Sequence, residues 1–366
     1  MKFFCLQQDL IPALQSVARS CGVRSQLPVL NNILLQASHG ELKLSATNLE
    51  IGVVKSIKVE ISEEGEVSIP ARTLVEVVAN LRGEKLEFTS TADQLEVSTP
   101  TFSSKLNGIS ASEFPAIPLI GKEVVNIDPQ VLLKSLPQVI FAAASDDGRP
   151  ILTGILTEIN NKKLQFVATD AYRLAHKIIP VSENINFKTL IPRKTFEEVV
   201  RLISEDDADQ VQISLSEDKN QIIFKFSNTQ ISSRLIEGKF PVWEKIIPEK
   251  FLTRIIVDKS EILQAVKLAS IFTRNEANIV TFENLSGKLI LTSEAKELGS
   301  QKKNVEAQIE GDGIKITFNT KFLQDVFSVI ATSQIIIELS GSLSAAVIKP
   351  VGEAGLQYII MPVNQT

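Results

Sequence analysis

Apolar residues in this chain alternate between a helical and a strand period, and the same succession is read three times along the sequence. The first block opens with a short apolar run, Met1 to Leu6, and then spaces Leu10, Leu14, Val17 and Ala18 along one face of a helix, with Asp9 as its expected cap. Two strand-patterned runs follow, Asn32 to Gln36 and Glu41 to Ala46, joined through the turn signal His39-Gly40. A third run, Ile51 to Ile61, leads to a second helix with Leu74, Val77, Val78 and Leu81 on one face. Alternating stretches Lys85 to Ser90, Gln94 to Ser98 and Thr101 to Leu106 close the block.

The second block begins again with Val124 to Ile127. Asp128-Pro129 is a cap with proline at the first helical position, ahead of a face made by Leu132, Leu133, Leu136 and Ile140. Its second helix carries Phe196, Val199, Val200 and Ile203. The third block opens with Ile255-Ile256-Val257, expects Ser260 as cap, and spaces Ile262, Leu263, Val266 and Leu268.

Part of the repetition is literal. Leu42-Lys43-Leu44-Ser45-Ala46-Thr47-Asn48 returns as Leu164-Gln165-Phe166-Val167-Ala168-Thr169-Asp170, and Ile69-Pro70-Ala71-Arg72-Thr73-Leu74 returns at the same offset as Ile191-Pro192-Arg193-Lys194-Thr195-Phe196. Fainter echoes stand at Leu289 to Ser293 and Phe318 to Val326. A period of roughly 120 residues makes each repeat a domain rather than a solenoid unit. The expected fold class is α+β, three tandem copies of a domain with two helices on one face of an antiparallel sheet, divided at 1–121, 122–250 and 251–366.

Composition narrows the function classes. No apolar stretch approaches the ~20 residues that span a bilayer, and the N-terminus lacks a long apolar run or cleavage site, so a cytoplasmic protein with no membrane partner is expected. Cys5 and Cys21 are too few for a disulfide scaffold or a zinc site and read as reduced thiols in a small core. There is no phosphate loop, dinucleotide fingerprint or His-Glu-x-x-His helix, and the two histidines, His39 and His176, fall in a turn and a strand. The acidic run from Ser204 to Asp209 reads as a solvated loop rather than a cation site. No enzyme, cofactor or metal centre is expected.

Net charge is −5, which argues against a chain coated with nucleic acid, but a total conceals distribution. Basic residues recur on or near the helices of each copy: Arg19, Arg24, Arg72 and Arg82, then Lys134, Arg149, Lys194 and Arg201, then Lys259, Lys267, Arg274 and Lys321. If the copies pack side by side, these helices line one basic surface.

Four segments resemble the bacterial β sliding clamp family, the processivity subunit of DNA polymerase III. They are Phe166-Val167-Ala168-Thr169-Asp170-Ala171-Tyr172-Arg173-Leu174-Ala175, Glu237-Gly238-Lys239-Phe240-Pro241-Val242-Trp243-Glu244-Lys245-Ile246-Ile247-Pro248, Ile69-Pro70-Ala71-Arg72 and the terminal Tyr358-Ile359-Ile360-Met361-Pro362-Val363. The resemblance implies a head-to-tail homodimer, a closed ring of six similar domains with helices lining the channel and sheets outside, which a repeated rotation of about 60° would close. It implies a non-catalytic clamp that encircles double-stranded DNA without sequence preference and tethers the polymerase catalytic subunit, the clamp loader and other replication or repair proteins. Arg24, Arg72, Arg149 and Lys194 are the candidate phosphate contacts, suited to sliding because attraction to phosphates is nearly independent of register.

The resemblance also implies a peptide groove between the second and third domains. It maps onto Leu152, Thr169, Tyr172, Arg173, Leu174, Pro241, Ile246, Ile359, Met361, Pro362 and Val363. Leu106, Ile271 and Phe272 fall at the family's subunit contact. Ala171-Tyr172, Lys245, Ser104 and the Asn364-Gln365-Thr366 end depart from the commonest family pattern, which bears on peptide preference and on ring closure. The alternative is a peptide-binding scaffold that never encircles DNA.

Overall fold

The structure, a computed structural model, describes residues 1–22, 27–81, 83, 85–121, 123–146, 148–183, 185–273, 278–285, 287–296 and 298–364. The first copy runs β1 (Lys2–Leu6), α1 (Gln7–Ala18), β2 (Asn32–Ser38), β3 (Glu41–Thr47), β4 (Ile51–Lys58), β5 (Glu60–Glu63), β6 (Gly65–Pro70), α2 (Ala71–Asn80), β7 (Lys85–Thr91), β8 (Gln94–Thr99) and β9 (Phe102–Asn107). The second runs β10 (Val125–Ile127), α3 (Pro129–Ser135), α4 (Pro137–Ile140), β11 (Gly154–Asn160), β12 (Lys163–Thr169), β13 (Arg173–Pro180), β14 (Phe187–Pro192), α5 (Arg193–Glu205), β15 (Val211–Leu215), β16 (Gln221–Phe226) and β17 (Thr229–Arg234). The third runs β18 (Thr253–Asp258), α6 (Lys259–Thr273), β19 (Ile279–Leu285), β20 (Lys288–Ala295), β21 (Gly299–Gly311), β22 (Lys315–Asn319), α7 (Thr320–Val329), β23 (Gln334–Leu339), β24 (Ala346–Pro350) and β25 (Leu356–Ile360).

Helices form where the apolar spacing predicts. Leu10, Ala13, Leu14 and Val17 are the buried stripe of α1, and Phe196, Val199, Leu202 and Ile203 that of α5. Asp128 caps α3 as expected, its Oδ1 accepting from the Gln130 N–H at 2.7 Å. Two other expected caps are corrected. Asp9 lies inside the first turn of α1, which has no side-chain cap. At α6 the cap is Asp258 rather than Ser260: the Asp258 carboxylate accepts from the backbone N–H groups of Ser260 and Glu261, at 2.8 and 3.0 Å, and from the Ser260 hydroxyl. The aspartate stands where it reaches both free N–H groups, so the serine joins the helix. The expected run Ile51 to Ile61 is two strands, because β4 pairs with β3 and β17 whereas β5 pairs with β1 in a different sheet.

Compactness divides the chain into two units rather than three. One comprises Met1–Leu132 and Glu197–Leu235. It holds a five-stranded sheet, β5-β1-β7-β8-β9, and an eight-stranded sheet, β10-β15-β16-β17-β4-β3-β2-β6. Here α1 and α2 pack on each other, α1 lies on β3 and β4, and Phe3 stacks on Phe88 with ring centroids 4.6 Å apart. The other unit, Leu133–Phe196 with Ile236–Thr366, holds a twelve-stranded sheet, β14-β11-β12-β13-β25-β24-β23-β18-β21-β20-β19-β22. In it α6 packs on α7 and against β20 and β21.

The second copy is split between these units because its strands are hydrogen-bonded into the sheets of its neighbours. Within the first unit β17 pairs with β4, with Val53 opposite Ile231; within the second, β25 pairs with β13, with Leu174 opposite Ile359. Lys55 and Lys177 hold matching places on these seams. Lys55 pairs with Asp206, which also accepts from the Thr229 hydroxyl at 2.6 Å, so that acid belongs to a structural pair. Lys177 meets Glu353 at 2.7 Å. Burial would raise the Glu353 carboxyl, but the hydrogen bond and charge of Lys177, with Lys134, outweigh it and hold the group below its usual range. No helix among the described residues is long and apolar enough to cross a membrane.

Candidate functional site

The turn between β12 and β13 is built from short polar side chains. The Thr169 hydroxyl donates to the Arg173 carbonyl at 2.6 Å and accepts from the Ala171 N–H at 3.1 Å. Asp170 Oδ1 accepts from the N–H groups of Tyr172 and Arg173, each at 3.0 Å. Ala171 takes the left-handed conformation, φ 79°, that so tight a reversal requires. Tyr172 is thereby pushed outward, 60% exposed, and its ring stacks on Phe322 of α7 at 6.3 Å. The Tyr172 carbonyl accepts from the Met361 N–H at 2.9 Å, and the Val363 N–H donates to the Thr317 carbonyl at 2.8 Å. The segment after β25 is thus strapped to the turn and to β22.

Beneath this rim lies an apolar cluster of Leu156, Val167, Leu174, Leu190, Trp243, Ala345, Val347 and Ile359, with Ile151, Ile236, Phe240 and Ile247 packed against it. Trp243 opens a short 3₁₀ turn, Trp243–Ile246, which places Ile246 outward at 39% exposure beside the equally apolar Val242 at 63%. Under Trp243 lies His176, with ring centroids 4.4 Å apart. Burial pushes the His176 imidazole down to about 4, against a smaller upward pull from the Glu244 charge. It is a neutral ring held between Gln165 Oε1 at 3.2 Å and Gln357 Nε2 at 3.1 Å.

The structure brings most of the expected groove residues together, in two layers. Leu174 and Ile359 form the floor, buried and opposite each other in the β13–β25 ladder. Leu152 is buried too, next to Ile151 in the 3₁₀ turn Pro150–Thr153. Tyr172, Pro241, Ile246 and Met361 are exposed, and Pro362 and Val363 half-buried. Thr169 is buried and spent on the turn.

Arg173 differs from what its type suggests. Its Nε donates to Asp170 Oδ2 at 3.0 Å, one terminal nitrogen pairs with Asp325 Oδ2, and the other donates to the Phe141 carbonyl at 3.0 Å. The guanidinium lies over the rings of Phe141 and Phe322, 5.2 and 4.7 Å from their centroids. Its side chain is only 10% exposed. Trp243, Phe322, Asp325 and Phe141 were not among the sequence candidates. Trp243 stood inside the resembling segment Glu237 to Pro248, and Phe322 and Asp325 inside the faint repeat echo Phe318 to Val326.

The basic candidates are less uniform. Arg24, with Arg82 and Arg274, lies outside the described residues. Arg72 and Lys194 are the second residues of α2 and α5, both exposed, and Arg72 reaches Glu76 at 2.9 Å. Arg149 is exposed ahead of Pro150–Thr153, and neither it nor Lys194 has an ion pair among the described residues. Arg201 is committed to Glu198, Glu205 and the Ser16 carbonyl, and Lys259 to the Ile330 carbonyl.

Of the subunit-contact candidates, Leu106 is buried in its own sheet, Ile271 is 54% exposed near the end of α6, and Phe272 is half-buried. β9 is the edge of the five-stranded sheet. β21 pairs with β20 over 299–306 and with β18 over 307–311, which leaves the outer edge of 299–306 without a partner among the described strands.

Comparison with known proteins agrees over the whole chain. Family profiles for the N-terminal, central and C-terminal domains of the DNA polymerase III beta subunit match residues 1–118, 126–242 and 244–364. A beta sliding clamp from Synechococcus elongatus is 29% identical over 378 residues, covering 100% of this chain and 99% of that one. The DNA polymerase sliding clamp of Bacillus subtilis superposes with a TM-score of 0.95 at 26% identity, and the DNA polymerase III beta subunit of Pseudomonas aeruginosa with 0.93 at 28%, each covering 100% of both chains. The chain therefore belongs to the DNA polymerase III beta-subunit family and is a three-domain DNA sliding clamp, a non-catalytic factor of replication.

Proposed function

We propose that two copies of this chain close head to tail around duplex DNA, with helices inward and sheets outward, each copy divided into domains 1–121, 122–250 and 251–366. The observation that carries this reading is the repeated seam. Ile51 opposite Ser233 and Arg173 opposite Ile360 are the same step of the repeat, so both seams share one register. Carried forward through the β20–β21 and β8–β9 ladders, that register sets Gly299 of one copy opposite Leu106 of the next, and Lys303 opposite Phe102. Two free edges are thereby matched.

This third seam has no apolar pair where the others have Val53 with Ile231 and Leu174 with Ile359; it sets Gln301 against Ser104 and Ser300 against Lys105. Closure then leans on Ile271, Phe272 and Leu106 and is weaker than either internal seam. Inside the ring Arg72, Arg149 and Lys194 face phosphates, and at the outer rim Tyr172, Ile246 and Met361 surround the apolar floor that takes a short peptide from the polymerase, the clamp loader or a repair protein. The setting is the cytoplasm, on the chromosome.

The test is topological. Cys5 and Cys21, whose thiols burial pushes up to about 12, are a quiet background for new cysteines. A Ser104→Cys, Gln301→Cys double variant, loaded onto nicked circular DNA by its cognate loader and then oxidised, is expected to survive high salt on the circle and to be lost on linearisation. Retention on both DNAs, or on neither, sinks the ring.

A further inference from the structure

We propose that Arg173 serves the groove as a positioning residue rather than a peptide contact, with Asp325 of α7 as its essential partner. The inference rests on the reading of this site as a peptide groove. Each of the three guanidinium nitrogens donates one hydrogen bond, to Asp170, Asp325 and the Phe141 carbonyl, and the cation packs near the rings of Phe141 and Phe322. With its side chain only 10% exposed, little of it is left to offer a ligand. What Arg173 holds, however, decides where Tyr172 stands.

Asp170 gives one carboxylate oxygen to Arg173 and the other to the backbone N–H groups of Tyr172 and Arg173, so the salt bridge orients the turn. Phe322, whose ring lies under the guanidinium at 4.7 Å, also stacks on the Tyr172 ring. The Tyr172 carbonyl in turn holds the Met361 N–H. Both exposed rim residues are fixed through one buried cation, and a preformed rim removes an ordering cost from binding. Asp325 sits 33% exposed on α7, and its role is seen only through Arg173.

Fluorescence anisotropy on the full-length dimer tests this with a labelled tail peptide from the same genome's replicative polymerase catalytic subunit, and with a second version whose carboxylates are amides. Asp325→Ala is expected to weaken both peptides by the same factor, about tenfold, the loss typical of one charge-assisted hydrogen bond. Arg173→Lys should weaken both comparably, since an ammonium cannot span the three acceptors. Arg173→Ala combined with Asp325→Ala should be no weaker than Arg173→Ala alone. Dimer mass and melting temperature are followed throughout, and Asp325→Asn, which keeps an acceptor, should lie between wild type and Asp325→Ala.

Wild-type affinity in Asp325→Ala overturns the proposal. So does an Arg173→Ala variant that loses affinity for the carboxylate peptide alone and keeps that of the amide one, since that marks direct charge recognition. If neither peptide binds wild type, the groove reading itself fails and this proposal with it.

Discussion

The chain makes one turn twice and uses it for two purposes. Between β3 and β4, the Thr47 hydroxyl donates to the Ile51 carbonyl and accepts from the Leu49 N–H, both at 3.0 Å, while Asn48 Oδ1 accepts from the N–H groups of Glu50 and Ile51 at 3.0 and 2.8 Å. Leu49 has φ 73°. Between β12 and β13, Thr169, Asp170 and Ala171 repeat that frame bond for bond. The frame only reverses the chain. What differs is carried by side chains the frame does not need: Ile51 against Arg173, Gly52 against Leu174, Val54 against His176. At the first turn Ile117 closes over Gly52, where an added Cβ would lie 3.2 Å from the Ile117 side chain and 2.9 Å from the Ser232 hydroxyl. At the second, an apolar floor is left with an open, exposed rim. On the groove proposal, the seam that serves as a site is the one without such a filler and with different edge residues.

The largest effect comes from exchanging floor and filler. Leu174 is 2% exposed and belongs to the cluster, so Leu174→Ala should destabilise the second unit by about 2–5 kcal/mol and abolish peptide binding. Gly52→Leu overpacks the first seam, at about 1–3 kcal/mol or more, and should leave peptide affinity as it was. Chemical denaturation with a peptide titration reads both. Loss of peptide binding in Gly52→Leu would show that the two turns are not independent.

A second difference is sensitive to acid. His176 is kept neutral with its midpoint pushed to about 4, whereas an unfolded histidine titrates near 6.5. Between those values the unfolded chain binds a proton that the folded chain refuses, so stability rises with pH across the window. It is fully present above about 6.5 and lost as pH falls toward 4, by about 3 kcal/mol in all. His176→Val copies Val54 and should flatten the acid limb of the melting temperature. An unchanged limb would place the acid sensitivity elsewhere.

Much of this was legible in the sequence, for physical reasons that also set its limit. The Thr47-Asn48 and Thr169-Asp170 echo was visible because a turn is made by neighbours, and the helix stripes because burial there has a local period. Leu152, Leu174 and Ile359 were found by family resemblance, but whether an apolar residue is floor or rim depends on what covers it. Arg173 was readable as exceptional, while its direction was not: its partners stand at Phe141 and Asp325, and no local pattern links them. The missed cap at α6 was a choice between Asp258 and Ser260, settled by which one reaches two N–H groups, while at α1 no side chain caps the helix at all.

The smallest effect sharpens the comparison most. If the two turns are one frame, removing the same hydroxyl from each should cost the same, whatever surrounds it. Thr47→Val and Thr169→Val keep shape and lose one donated and one accepted hydrogen bond apiece. Both threonines are nearly buried, 5% and 4% exposed, so water does not replace those bonds easily. Each variant should lose about 1 kcal/mol, and the two should agree within about 0.5 kcal/mol. Only Thr169→Val should weaken peptide binding, by loosening the turn that carries Tyr172. A Thr169→Val cost well above that of Thr47→Val would mean that the Arg173 cage leans on this hydroxyl, and that the second turn was rebuilt rather than merely decorated.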